Sequence, residues 1–126
     1  MECILYKGNA FCIEWYHDTK GNSQALKFYR ALNQKQKIQF LKLVKLMGDI
    51  GKIHNKEKFR NEGNKVFAFK PMPNRFLCFF VEGKKIVVTN AFVKKQNSLP
   101  VNEKIRALKY REDYIERVKE GAYYNE

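Results

Sequence analysis

Arg75-Phe76-Leu77-Cys78-Phe79-Phe80-Val81-Glu82-Gly83-Lys84-Lys85-Ile86-Val87-Val88-Thr89-Asn90-Ala91-Phe92-Val93-Lys94-Lys95 is the stretch on which the reading of the chain turns. From Phe76 to Val81 it is wholly apolar. Glu82-Gly83-Lys84 then breaks the run as a turn, and residues 85–92 resume it with β-branched side chains. Two apolar runs across a tight Gly turn predict a β-hairpin. Side chains alternate between the faces of a strand. Arg75, Leu77, Phe79 and Val81 therefore share one face, and Phe76, Cys78 and Phe80 the other. Both faces are apolar, so this strand is expected to be central and covered on both sides.

The flanks extend the pattern. Residues 65–70 place Val-Phe-Ala-Phe between two lysines, and Pro71-Met72-Pro73-Asn74 reads as a turn. Three consecutive strands with tight connections predict an antiparallel meander. Residues 2–16 read as extended chain, with a turn signal at Gly8-Asn9. Ser23 is placed to N-cap a helix carrying Leu26, Tyr29 and Leu32 on one face. Asn33 with Gln36 predicts a second helix start, followed by Ile38, Leu41, Val44 and Met47 at helical spacing and ended by Gly48 and Gly51. Pro100 opens a last helix with Val101, Ile105, Leu108, Ile115 and Val118 as its apolar face. The expected order is β-α-α-β-β-β-α, an α+β domain. A helical hairpin and a C-terminal helix pack on one face of an antiparallel sheet. No linker or repeat interrupts residues 1–126, so a single domain is expected.

The chain has 126 residues, with 25 Lys and Arg against 13 Asp and Glu, a formal charge of +12. At 44% hydrophobic it can bury a core and is no disordered polycation. No apolar run approaches the roughly 18 residues of a membrane span. Glu2, Lys7 and Glu14 interrupt any signal-like N-terminus, so a soluble protein without a membrane partner is expected. Cys3, Cys12 and Cys78 are odd in number, sit among apolar neighbours and show no metal-ligand spacing. They predict reduced thiols in the cytoplasm, with no metal and no cofactor.

The charge is uneven. Residues 52–95 carry 11 basic and 3 acidic side chains, whereas residues 96–126 carry 6 of each. A concentrated cationic region predicts an anionic partner, nucleic acid first. Lys65, Lys70, Arg75, Lys94 and Lys95 fall at strand ends, where they would rim the sheet as a phosphate-gripping surface. Tyr110, Tyr114, Tyr123 and Tyr124 are candidates for stacking on bases, although the helical spacing of the first two favours packing.

Read in order, the Arg-initiated aromatic strand, the Gly turn, the β-branched strand and Phe92-Val93-Lys94-Lys95 before Pro100, Glu103 and Ala107 form a pattern. It resembles the RelE/ParE toxin superfamily, most closely its HigB-like, phage-related branch. Lys58-Phe59-Arg60 with Glu62-Gly63 resembles the segment entering that family's basic sheet. Where the branch commonly has Leu-His, this chain has Thr89-Asn90. Where ribosome-dependent relatives have a Lys-x-Lys pair, it has Val66 and Ala68.

The resemblance implies a RelE-like fold and the toxin of a type II toxin–antitoxin system. It further implies cleavage of messenger RNA, often on the ribosome, with a helix-turn-helix (HigA-like) antitoxin as partner. Metal-free cleavage uses the RNA's own 2′-hydroxyl, and needs a base, cations on the phosphate and an acid for the 5′-oxygen. On that basis Arg75 is the expected phosphate clamp, Lys95 and Lys70 further cations of the site, and His54 a candidate acid or base. Lys58, Arg60, Lys65 and Lys94 are expected to hold the RNA backbone. A gyrase-inhibiting ParE-like toxin and a non-catalytic RNA- or protein-binding module are the alternatives.

Overall fold

A computed structural model describes residues 3–124. The elements are β1 (Ile4–Lys7), β2 (Cys12–Trp15), α1 (Gln24–Arg30), α2 (Gln34–Ile50), β3 (Phe59–Gly63), β4 (Val66–Phe69), β5 (Asn74–Val81), β6 (Lys85–Val93) and α3 (Val101–Lys119). The six strands form one sheet in the order β1-β2-β6-β5-β4-β3. The class is α+β as expected, but the element order differs by two strands. The first extended stretch folds back at Gly8-Asn9 into the β1–β2 hairpin. Strand β3 went unread because Phe59-Arg60-Asn61-Glu62-Gly63 has a single large apolar residue and no alternation for a sequence to show. The sheet is also mixed rather than antiparallel throughout, since β2 pairs with β6 in parallel.

Strand β5 is central, between β6 and β4, and its two faces build two cores. Phe76 and Cys78 join Trp15, Phe69 and Val88 beneath α1 and α2, which contribute Ala25, Leu26, Phe40, Val44 and Met47. Phe40 lies flat on Phe76 with ring centroids 3.8 Å apart. On the opposite face Leu77 meets Val66, Ala68 and Ala107 of α3, and Phe79 meets Tyr16, Val87, Tyr114 and Tyr123. The helices therefore cover both faces, not one. This correction follows from the strand itself, because two apolar faces need two covers.

The helix starts are as expected. The Ser23 hydroxyl accepts from the Leu26 amide, and the Asn33 side chain accepts from the Gln36 amide. The buried faces differ. Helix α2 turns Phe40, Val44, Met47 and Gly48 inward and leaves Ile38 and Leu41 partly exposed. It continues past Gly48 to end at Gly51, which takes a left-handed conformation (φ 86°). Helix α3 buries Ala107 and Tyr114, not Val101, Ile105, Ile115 and Val118.

Beyond α3 the chain returns to the sheet. The Tyr123 hydroxyl accepts from the His17 amide (2.9 Å), and Tyr124 donates to the buried Glu14 carboxylate (2.7 Å). Lys85 completes this cluster at 3.1 Å from Glu14. Burial opposes the Lys85 charge, yet the hydrogen bond and charge of Glu14 raise its pKa overall. The four tyrosines considered for base stacking are thus occupied in packing: Tyr110 stacks on Tyr16, and Tyr114, Tyr123 and Tyr124 contact one another.

All three cysteines are free, with Cys78 buried and the others half-buried. Burial and a hydrogen bond to Glu14 push the Cys3 thiol up to about 12, the opposite of an activated thiolate. Among the described residues no helix is long and apolar enough to cross a membrane.

The β1–β2 turn crosses α2 at glycine contact distance. The Gly48 carbonyl accepts from the amides of Ala10 (2.7 Å) and Phe11 (2.9 Å). A Cβ on Gly8 would lie 2.2 Å from the Gly48 carbonyl carbon, a backbone atom with nowhere to go. Gly8→Ala should therefore cost about 2–3 kcal/mol or more, read as a lower urea midpoint with unchanged slope. A midpoint equal to the parent's would show that the turn does not bear on α2.

Candidate functional site

Strand parity places the central arginine. Phe76 is committed to the core beneath α1 and α2, so its neighbour Arg75 must project to the α3 face. There it stands opposite Phe92 of β6. Arg60 of β3 pairs with Ala68, which pairs with Leu77, so Arg60 belongs to the same face. Helix α3 does not cover this end of the sheet. It starts at Val101, and the segment leading into it walls off a cleft of about 240 Å³. Arg60, Glu62, Lys70, Arg75, Phe92 and Lys94 line its sheet side, and residues 96–100 its other side.

Arg75 is only 6% exposed. Its guanidinium donates to the Asn74 carbonyl (2.9 Å) and touches the Met72 sulfur (3.4 Å), which fixes its orientation. Burial lowers its pKa, and the Glu62 carboxylate offsets part of that. A guanidinium retains its charge through a shift of this kind. The Lys70 ammonium donates to the Lys56 carbonyl (3.1 Å), and the Lys70 amide donates to the Lys58 carbonyl (2.8 Å). Its pKa is lowered first by burial, then by Arg75, Arg60 and Lys94, with Glu62 acting the other way.

Four cations thus share one field around one carboxylate. Glu62 lies 4.0 Å from the Arg60 Nε, with its side chain largely covered. The Glu62 carbonyl accepts from Lys104 (3.0 Å), which ties β3 to α3. Pro100 gives the first turn of α3 no side-chain cap and itself lines the cleft, so the positive end of the helix dipole adds to the field. Four cations against a single lining carboxylate are a ready site for a polyanion.

Of the expected site residues, the fold brings Arg75, Lys70, Arg60 and Lys94 together. The others lie outside the cleft lining. In Phe92-Val93-Lys94-Lys95 the residues alternate, so Phe92 and Lys94 share the cleft and Lys95 does not. His54 lines a shallow depression with Lys56, Phe59 and Asn61, on which Arg60 also borders. Lys58 lies beside Gln39 and Lys42 of α2, and Lys65 occupies a positive-φ turn position (68°) between β3 and β4. On the sheet side of the cleft, Glu62 and Phe92 are the residues that the sequence did not assign, and residues 96–100 on its other side were not assigned either. Glu62 had a signal, its i+2 spacing from Arg60, but that spacing has meaning only once β3 is known to be a strand. Asn90 is buried and donates to the Glu103 carboxylate (3.0 Å).

Residues 27–112 match the family described as Phage derived protein Gp49-like (DUF891). The match spans more than half the chain, and the chain belongs to this family, which is of RelE/toxin-like type. Every cleft-lining residue falls inside the matched region. No curated protein matches the chain.

The lowered Lys70 pKa carries a stability consequence. In the folded state the charged form is disfavoured, so the penalty is complete below the folded pKa. It is relieved as pH rises through that value toward the ordinary lysine pKa of about 10.4. Lys70→Met should melt a few degrees above the parent at pH 7, with the difference shrinking toward pH 10, as followed by circular dichroism. A lower melting temperature at pH 7 would show that the Lys70–Lys56 hydrogen bond outweighs the burial and repulsion of the Lys70 ammonium.

Proposed function

We propose that the protein is the toxin of a type II toxin–antitoxin pair and that it cleaves messenger RNA in the cleft beside α3, acting at the ribosome. The observation that supports this most is the convergence of Arg60, Lys70, Arg75 and Lys94 around Glu62. Membership of a RelE/toxin-like family supports the toxin role. The partner would be a helix-turn-helix antitoxin of the HigA-like kind.

In this reading the scissile phosphate lies against Arg75, whose planar fork matches two phosphate oxygens. Arg60 and Lys94 hold the flanking backbone, and Phe92 offers an apolar wall to an unstacked base. The Glu62 carboxylate takes the proton from the 2′-hydroxyl as its oxygen bonds to phosphorus. The bond from phosphorus to the 5′-oxygen breaks, and Lys70 protonates the leaving oxygen. Its lowered pKa moves it toward the range where an acid works efficiently. The products are a 2′,3′-cyclic phosphate and a 5′-hydroxyl end.

The test uses purified protein with end-labelled RNA, free and on translating ribosomes, in buffer containing EDTA. Cyclic-phosphate products are expected. Arg75→Ala should slow cleavage about 100–1,000-fold, the scale of losing one donor to a transition-state anion. Glu62→Gln should slow it about 100-fold or more. Arg75→Ala and Glu62→Gln proteins that cleave like the parent would sink the site assignment. One observation favours a second reading: Val66 and Ala68, at the positions of the relatives' lysine pair, are buried under α3 and carry no cation. Inhibition of purified gyrase without RNA cleavage would decide for that gyrase-poison alternative.

A further inference from the structure

The turn between β4 and β5, residues 71–73, has a cavity on each of its two sides. On one side it reaches the cationic cleft, where the Met72 sulfur lies 3.4 Å from the Arg75 guanidinium. On the other side Pro71 and Met72 wall a second cavity of about 220 Å³, completed by Gln39, Lys42 and Leu43 of α2 and by Lys58 ahead of β3. The Lys58 carbonyl accepts from the Lys70 amide (2.8 Å), so the two cavities share a second junction. The turn between them is stiff. Two prolines fix its backbone, and the Asn74 and Lys94 amides donate to the Pro71 and Pro73 carbonyls (2.8 Å each).

The second cavity differs from the cleft in its chemistry. Leu43, Pro71 and Met72 give it an apolar wall, and Met72 is 51% exposed. Gln39 is exposed and brings an amide, which both donates and accepts. The Lys42 and Lys58 ammoniums have no ion pair or hydrogen bond among the described residues. No carboxylate lines the cavity, and Glu57, beside Lys58 in the chain, is not part of its wall. An apolar wall for a ring, an amide for its edge and two cations for a phosphate are the parts that hold one nucleotide of an unpaired strand. The volume lies below the roughly 300 Å³ at which pockets for whole small molecules begin.

We propose that this cavity is a second nucleotide subsite. It takes a nucleotide flanking the scissile phosphate of single-stranded RNA, which passes from Arg75 over Met72. The base lies against Leu43, Pro71 and Met72 with its edge to Gln39, and its phosphate lies between Lys42 and Lys58. The inference rests on the RNA-cleaving reading of the cleft, and it extends the footprint of that site round the end of the sheet. An acidic protein segment is disfavoured, because it would use the two lysines and leave the apolar wall and the amide without purpose.

The test measures fluorescence anisotropy of labelled 2′-O-methyl RNA, from two to eight nucleotides long, added to the full chain. Such RNA binds but is never cut, because the attacking hydroxyl is blocked. Counterion release alone raises affinity evenly with each added phosphate. A subsite adds a step of about tenfold at the length that first reaches it, the scale of one base contact. Lys42→Gln/Lys58→Gln should remove the step. Lys20→Gln/Lys84→Gln, in exposed loops elsewhere, removes the same charge and should keep it. Gln39→Ala should reduce the step severalfold with an unchanged salt dependence. All five residues are exposed, so circular dichroism melts equal to the parent's would exclude misfolding as the cause. Three results overturn the proposal: affinity that rises evenly with length; a step that Lys42→Gln/Lys58→Gln keeps; or displacement of the octanucleotide by a polyglutamate peptide of equal charge as readily as by unlabelled octanucleotide. Failure to cleave unmodified RNA would count against the cleavage reading alone, since the step is read on RNA that is never cut.

Discussion

The stacking of Phe40 on Phe76 at 3.8 Å fixes the rest of the molecule. It joins the helical hairpin to the central strand, and by strand parity it sends Arg75 to the other face. A guanidinium there would be costly beneath a fully covering helix. Helix α3 starts short of it, and the uncovered end of the sheet becomes the cleft. One aromatic pair therefore settles where the core ends and where the site begins. The site is built on strands rather than loops for the same reason. Arg60, Arg75 and Phe92 take their directions from three paired strands, and pairing leaves each little freedom to turn away.

The cleft is held against its own electrostatics. Arg75, Arg60 and Lys94 all lower the Lys70 pKa, and Glu62 is the one carboxylate lining the cleft that offsets them. Such a group is unstable in isolation and is retained by the two cores beside it. A phosphate bound there, as proposed above, would offset part of the repulsion among these cations. Pro100 contributes in the same direction, because a capping side chain would have neutralised the helix end that lines the cleft.

Much of this arrangement was legible in the sequence. The two-faced strand, the hairpin after it, both helix caps and the clustering of positive charge between residues 52 and 95 read correctly. Four of the eight expected site residues converge because strand ends on one side of a sheet do converge. What the sequence did not show has physical reasons. Strand β3 carries no periodicity because it is an edge strand with an exposed face, held by pairing to β4. Strand β6 has an extra residue at Thr89: Val88 opposes Cys78, but Asn90 opposes Leu77. That bulge reverses the parity of everything after it. Counted from Val88 without the bulge, Phe92 and Lys94 would lie under α1 and α2. With it, they line the cleft.

The helix faces were misread for one common cause. Periodicity finds an apolar arc, but it does not say which arc the fold uses. In α3 the aliphatic arc of Val101, Ile105, Leu108 and Ile115 is the more hydrophobic by composition, yet the inward arc is Ala107, Tyr110 and Tyr114. The tyrosines win because they bury large rings and also satisfy polar ends. Tyr110 stacks on Tyr16, and the hydroxyl of Tyr114 meets that of Tyr124 at 2.6 Å. Small Ala107 lets the helix approach Leu77 and Ala68 closely. Once those contacts set the rotation of α3, helical geometry leaves Val101, Ile105 and Ile115 outside, while Leu108 at the edge of the arc still reaches the core.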